Sequence, residues 1–410
     1  MSILVVTNGH GEDQLAVCLV DGLRRRWPWL RIEGIPLVGE GRRLAAAGIA
    51  VPGPRVRVPS GGLVRPEWET VVRDLRAGLI GQFRRQMRFV ASRRDAVERI
   101  IAVGDVFAGW VAGRCLPKKP LILVATAKSE YIHGHFRFET WWMKRRAQHV
   151  FARDERTAEA LRQAGVAASW AGNLMMDAME ITGSLSVPAA PGRVIALLPG
   201  SRDDAYVNLE SLADVLERLA VDGVVVGLVP LAPGLDVDRA VHLLQQRGWR
   251  AAEHEDKVEL PSHAVPPRSG SRRRGDASQK DVALQKGRGF LWLLTGAFGD
   301  VLATADVVVG LAGTANEQAA GLGKPVVAFP GPGVQFGPRF MRAQKLLLGD
   351  ALAVAPPTPE AVAAEVRDIL TNPTRRERMA AAGRERMGPP GAADRMAAAI
   401  GRLWGLEDDV

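Results

Sequence analysis

Residues 305–333, ADVVVGLAGTANEQAAGLGKPVVAFPGPG, decide how the rest of the chain is read. Positions 307–309 are a short β-branched apolar run, the pattern of a strand buried on both faces. Gly310 and Gly313 permit a sharp turn that leaves main-chain N–H groups uncovered. Thr314 is placed to cap a helix beginning near Ala315, with Asn316, Glu317 and Gln318 in its first turn. Gly321 and Gly323 end that helix, and 326–329 reads as a second buried strand closed by a Pro-Gly-Pro-Gly run. Strand, glycine turn, helix and strand make a βαβ unit, whose ligand belongs at the carboxyl ends of the strands. A helix N-terminus favours anions, yet this one presents a carboxylate, Glu317. Phosphate next to sugar hydroxyls, as in a nucleotide sugar, suits both features. The alternative is a Glu317 that only complements the helix dipole.

Length and composition bound the rest. A chain of 410 residues points to two domains, each able to bury its own core. Hydrophobic residues at 47% and charged residues at 24% are ordinary for a soluble globular enzyme. A formal charge of +9 and a pI near 10.0 suit anionic partners: nucleic acid, anionic lipid or phosphorylated small molecules. No nucleic-acid-binding signature or zinc-finger spacing occurs, so no nucleic-acid partner is expected. Cys18 and Cys115 lie far apart in apolar surroundings and read as buried free thiols of a reducing compartment. The chain starts on a strand with no signal-peptide pattern, and no apolar run reaches the roughly 18 residues that span a bilayer. The expectation is a cytoplasmic protein, peripheral at the inner face of the cell membrane if it meets lipid.

The first domain is expected over 1–180. Its first strand, 2–7, runs into Asn8-Gly9-His10-Gly11-Glu12-Asp13 and then a helix with Leu15, Leu19 and Leu23 on one face. The glycines do not make a dinucleotide fingerprint, because the third is missing. A backbone pocket built on Asn8, Gly9 and Gly11 is the better reading, with His10 as a base or a phosphate donor. The Gly-, Pro- and Arg-rich segment 34–66 reads as strand fragments and long loops, and 67–97 as helix. Strand 99–104 ends at Asp105, where α/β enzymes place chemistry; an N-cap for the next helix is the structural alternative. His133 and His135 lack the partners a metal site needs, so no metal is expected. Trp141, Trp142, Lys144, Arg145 and Arg146 set aromatic bulk beside three cations, which suits either anionic headgroups or a packed tryptophan with a solvated edge.

Residues 177–192 read as the hinge and 190–390 as the second domain. Strand 193–198 leads to Pro199-Gly200-Ser201-Arg202, a tight turn with an arginine at its tip that can clamp phosphate bidentately. Segment 253–289 is charged and nearly devoid of aromatics, so most of it is expected to be a mobile insertion. A final helix within 391–410 is expected to return to the first domain.

These residues together resemble lipid-A-disaccharide synthase, and more closely the branch of proteins related to it. Leu198-Pro199-Gly200-Ser201-Arg202 carries the likeness, with Gly172-Asn173 followed by Asp177 and Gly313-Thr314-Ala315 followed by Glu317-Gln318. The resemblance covers nearly the whole chain outside 253–289. It implies a GT-B fold: two doubly wound, Rossmann-like α/β domains with an interdomain cleft, a UDP-sugar held chiefly by the second. It implies inverting, metal-independent transfer of a sugar of the N-acetylglucosamine type to a lipid-linked acceptor, without a cofactor, in glycolipid biosynthesis. By position it makes Asp105 the candidate general base, places Arg202 near the diphosphate, and matches Asp13 to the family's acidic residue after the first loop. Two departures fall on the acceptor side: Asn8-Gly9-His10-Gly11-Glu12-Asp13 lacks the family's glutamate in place, and Thr126-Ala127-Lys128-Ser129-Glu130 replaces a Ser-Pro-Ser loop. Two alternatives remain: a UDP-N-acetylglucosamine 2-epimerase, close at Leu322-Gly323-Lys324-Pro325, and a non-catalytic UDP-sugar-binding protein at a membrane.

Overall fold

Short β-branched runs alternating with amphipathic helices give the first unit a six-stranded parallel sheet. Its strands are β1 (Ser2–Thr7), β2 (Arg31–Pro36), β3 (Arg99–Gly104), β4 (Leu121–Ala125), β5 (His149–Ala152) and β6 (Ala168–Ser169). They lie in the order β2-β1-β3-β4-β5-β6. The computed structural model describes residues 1–9, 11–55, 79–183, 185–188, 192–202, 204–252, 257–259, 281–332 and 336–406. His10, residues 56–78 and most of 253–280 lie outside them, and with them the readings placed there. The chain divides into two units, Met1–Ala178 with Pro390–Val410, and Met179–Pro389.

In the first unit the connecting helices are α1 (Gly11–Arg26), α2 (Arg42–Ala46), α3 (Leu79–Ser92), α4 (Val106–Cys115), α5 (Arg137–Arg146), α6 (Glu155–Gln163) and α7 (Leu174–Asp177). Strand alternation feeds two cores. Ile101 and Val103 of β3 join the one built with α1, while Ile100 and Ala102 join the one built with α4. The helix Ala392–Trp404 lies against α1, where Gly22 leaves room for the Ala393 carbonyl: a Cβ there would sit 2.9 Å from that oxygen. Asp177 fixes its start by accepting the N–H groups of Gly391 (2.5 Å) and Ala393 (2.6 Å). The Gly-Asn…Asp segment at 172–177 is thus a structural clasp, with Asn173 capping α7 through Met175 N.

The second unit holds an eight-stranded sheet. Its elements, with a separate two-stranded ribbon, are β7 (Ser186–Pro188), β8 (Arg193–Leu198), β9 (Val225–Leu231), β10 (Arg250–Ala251), β11 (Lys257–Glu259), β12 (Val282–Lys286), β13 (Gly289–Thr295), β14 (Val307–Gly310), β15 (Val326–Ala328) and β16 (Leu352–Val354). The sheet runs β10-β12-β13-β9-β8-β14-β15-β16, antiparallel only around β12, and β7 pairs with β11 apart from it. Its helices are α8 (Ala205–Leu219), α9 (Val237–Gln246), α10 (Phe298–Thr304), α11 (Thr314–Gly321), α12 (Pro338–Leu348), α13 (Pro359–Thr371) and α14 (Pro373–Met387). Residues 281–289, counted with the insertion on composition, instead form β12 and its turn into β13. Leu284 is buried opposite Leu291, and that cross-strand pair supplies apolar burial a composition average conceals.

Asp177→Ala removes two charge-assisted hydrogen bonds and should cost about 2–4 kcal/mol. A lowered urea midpoint, with earlier proteolytic release of the C-terminal helix, is the expected result; an unchanged midpoint would show the clasp contributes nothing.

Candidate nucleotide-sugar site in the second unit

Strand order in the second sheet reverses between β8 and β14, which pair in parallel with Gly310 opposite Leu198. Both strands therefore end at one edge, the place where open α/β sheets take ligands. A cavity of about 470 Å³ opens there. Leu198 to Arg202 line it from the β8 end, Pro230 to Pro233 from β9, Gly296 and Phe298 beyond β13, and Ala312 to Ala315 with Gln318 beyond β14. Arg202 is exposed at this rim. Gly200, at φ 102°, takes a left-handed turn open to glycine at little cost.

The wall beyond β14 is held by a buried polar web. Asn316, fully buried, donates through Nδ2 to Gly310 O (3.1 Å) and Gln344 Oε1 (3.0 Å). Gln344 in turn donates to Ala312 O (3.0 Å) and Gly313 O (3.3 Å). In a trans peptide the following N–H points opposite to the carbonyl, so this turns the Gly313 and Thr314 N–H groups away from the web. Gly310 is required, because a Cβ there would lie 1.8 Å from Asn316 Oδ1. Thr314 is not the cap expected from sequence. Gly313 holds that position, and its carbonyl takes the N–H groups of Asn316 (3.1 Å) and Glu317 (3.3 Å).

Helix periodicity redistributes the expected ligand contacts. Successive α11 side chains rotate by about 100°, so Thr314, Ala315 and Gln318 share a face while Asn316 points to the opposite side. Those three line the cavity and Glu317 does not. Asn208 was not singled out in the sequence, though a polar residue on the apolar face of α8 is a readable signal. It is fully buried, and its Nδ2 holds the turn through Pro199 O (2.9 Å). Gln344 carries no such local signal, lying far from its partners in sequence. Lys324 of the Leu-Gly-Lys-Pro segment is structural: its Nζ donates to Ala303 O (2.7 Å), and burial pushes its pKa down.

The first unit has its own switch point, between β1 and β3. Asn8 Oδ1 accepts from Asp105 N (3.1 Å) across it, which brings those two residues together. Gly104, at φ 139°, leaves the space that Asn8 fills. Asp105 Oδ1 caps α4, accepting from Phe107 N (2.9 Å) and Ala108 N (3.2 Å). Asp13 is buried and accepts from the Thr7 hydroxyl. Gly9 packs against Val38 O, and Gly11 opens α1. On α5 the expected membrane group divides. Trp141, Lys144 and Arg145 are exposed, whereas Trp142 packs against Gly109 and Arg146 donates to Leu116 O (2.8 Å). Among the described residues no His, Cys, Asp and Glu cluster could hold a metal ion, and no helix is long and apolar enough to cross a membrane.

No family profile and no curated protein matches the chain by sequence. Solved structures match it over nearly its whole length. MurG of Acinetobacter baumannii aligns with a TM-score of 0.56 at 15% identity, covering 98% of this chain and 99% of its own. The MnaA–UDP co-structure from S. aureus aligns at 0.55 and 13% identity, covering 99% and 98%. The UDP-GlcNAc 2-epimerase of Neisseria meningitidis, bound to UDP-GlcNAc, aligns at 0.54 and 12% identity, covering 99% and 100%. At such identities the likeness is one of fold. It defines the class of fold as GT-B: two α/β units with Rossmann-like parallel cores.

Gly310→Ala should destabilise the second unit by about 1–3 kcal/mol, the usual cost of overpacking. Because its Cβ meets Asn316, adding Asn316→Ala should cost less than the sum of the two single losses. Denaturant titration of the four proteins reads this out, and strict additivity would remove the proposed clash.

Proposed function

We propose that the protein is a glycosyltransferase that moves a sugar of the N-acetylglucosamine type from a UDP-sugar to a lipid-linked acceptor, with inversion and without a metal. The observation that carries this reading is the cavity at the β8–β14 switch point, where an exposed guanidinium faces the glycine turn and first turn of α11. Arg202 grips the diphosphate, the Gly313 and Thr314 backbone lies beside it, and the Gln318 amide takes the ribose hydroxyls. The apolar wall of Pro230, Leu231 and Phe298 suits the uracil ring. The Leu198–Arg202 and Gly313–Gln318 motifs favour the lipid-A-disaccharide-synthase-like branch. In the first unit Asp105 serves as general base: Oδ1 is committed to α4, and among the described residues Oδ2 remains for an acceptor hydroxyl. Asp13 is a positioning residue there, holding the end of β1 through Thr7.

A second reading, UDP-N-acetylglucosamine 2-epimerase, is supported by the epimerase among the structural neighbours. Radiolabelled UDP-N-acetylglucosamine separates the two. Transfer puts label into the organic phase only when lipid from the source cell is present. Epimerisation instead yields a second UDP-sugar with no lipid added, and neither product leaves a binding protein.

Two variant series test the residues. By calorimetry Arg202→Ala should weaken UDP and 2′-deoxy-UDP alike, by about 1.5–3 kcal/mol. Gln318→Ala should weaken UDP by about 0.5–1.5 kcal/mol and the deoxy ligand less, since that ligand has already lost a partner. Equal penalties on both ligands would remove Gln318 from the ribose. Asp105→Asn should keep UDP affinity and lower turnover by a factor on the order of 10² or more; near-normal turnover in the folded variant would leave Asp105 as a helix cap alone.

A further inference from the structure

The first unit carries a second cavity, of about 750 Å³, at the C-terminal end of α4. Arg88, Arg94, Arg114, Lys118 and Lys119 line it, with Asp95 the one carboxylate among its described lining residues. Among the described residues none of these five cations is in an ion pair, whereas Arg25, Arg93, Arg162, Arg367 and Arg375 are each paired with a carboxylate. An apolar stripe leads to the cavity. Phe83 of α3 stacks on Phe107 (5.6 Å between centroids, 20° between planes), and Phe107 stacks on Trp110 (6.1 Å, 17°). Phe107 remains 46% exposed and Trp110 41%, and Trp110 also lines the cavity rim. On α4 the spacing 107, 110, 114 puts both aromatics and Arg114 along one helix face.

We infer that this face of the first unit docks on an anionic phospholipid surface, with the cationic cleft taking phosphodiester headgroups and the Phe107–Trp110 stripe entering the interfacial layer. Clustered cations next to a bilayer are attracted by its negative surface potential, and amphipathic aromatic rings settle at headgroup depth. Single-stranded nucleic acid also pairs cations with aromatics, but it needs free ring faces for its bases to stack on. Here Phe107 has Phe83 on one side and Trp110 on the other at 5.6 and 6.1 Å, and neither gap admits a base. The inference stands on α3, α4 and the segments that follow each of them, and does not depend on the UDP-sugar reading. It also differs from the α5 site expected from sequence, where Trp142 and Arg146 are committed to packing.

Co-sedimentation of the full chain with vesicles tests it. Vesicles of phosphatidylcholine with 30% phosphatidylglycerol should bind the protein and pure phosphatidylcholine should not. Arg114→Ala/Lys118→Ala/Lys119→Ala should weaken binding roughly 100-fold, about fivefold per cation. Trp110→Ala should weaken it several-fold. Trp29→Ala, another exposed tryptophan, should leave it unchanged, as should loss of three charges elsewhere through Arg42→Ala/Arg342→Ala/Arg378→Ala. All these side chains are exposed or only partly buried, and a thermal melt confirms that each variant folds. Equal binding to neutral vesicles, no binding to either, or the same loss in the distant triple variant would overturn the proposal. So would displacement by millimolar inorganic phosphate at constant ionic strength, which would make the cleft a site for soluble anions, or tighter binding to single-stranded RNA than to vesicles.

Discussion

The second unit depends on one constraint: β8 and β14 lie side by side and in parallel at the point where the sheet reverses its order. That pairing brings two chain segments about a hundred residues apart to a common edge. A glycine must follow, because the space beside Gly310 is already taken by the Asn316 amide. Asn316 and Gln344 then satisfy three backbone carbonyls within a dry interior, where an unpartnered polar group would cost about 1–3 kcal/mol. The same bonds that settle the core orient the N–H groups of the turn. Stability and the shape of the cavity wall are therefore set by one set of contacts.

The first unit repeats the device with other residues. Gly104 makes room for Asn8, and Asn8 fixes the Asp105 backbone, so here a side-chain amide bridges the two strands at the switch point. Asp105 then works in two directions. One carboxylate oxygen satisfies the orphan N–H groups at the start of α4, and that bond restricts where the other oxygen can point. The cationic cleft lined by Arg114 lies at the far end of the same helix.

Much of this was legible in the sequence. β-Branched runs, glycine turns and amphipathic helices mark a doubly wound α/β chain, and the Pro-Gly-Ser-Arg and Gly-Thr-Ala turns mark the strand ends of the second sheet. These signals are local: each depends on the conformational freedom of glycine or the period of apolar residues over a few positions. Local signals also misled. Thr314 has the chemistry of a cap, but the backbone at Gly313 took that role. The charged composition of 253–289 concealed a strand, Val282–Lys286, whose Leu284 is buried.

What the sequence by itself determined was the class of architecture and the two turns that line the site. Only the tertiary structure decided which side chains face the cavity. Glu317 and Gln318 are neighbours in sequence and equally polar, and a rotation of about 100° about the helix axis separates the one outside the lining from the one within it. Tertiary structure also assigned Asp177 to clasping the C-terminal helix, since its partners Gly391 and Ala393 lie more than two hundred residues away. Residue type and local period can be read along a chain. The partner of a buried polar group is set by packing between distant segments, and no local pattern encodes it.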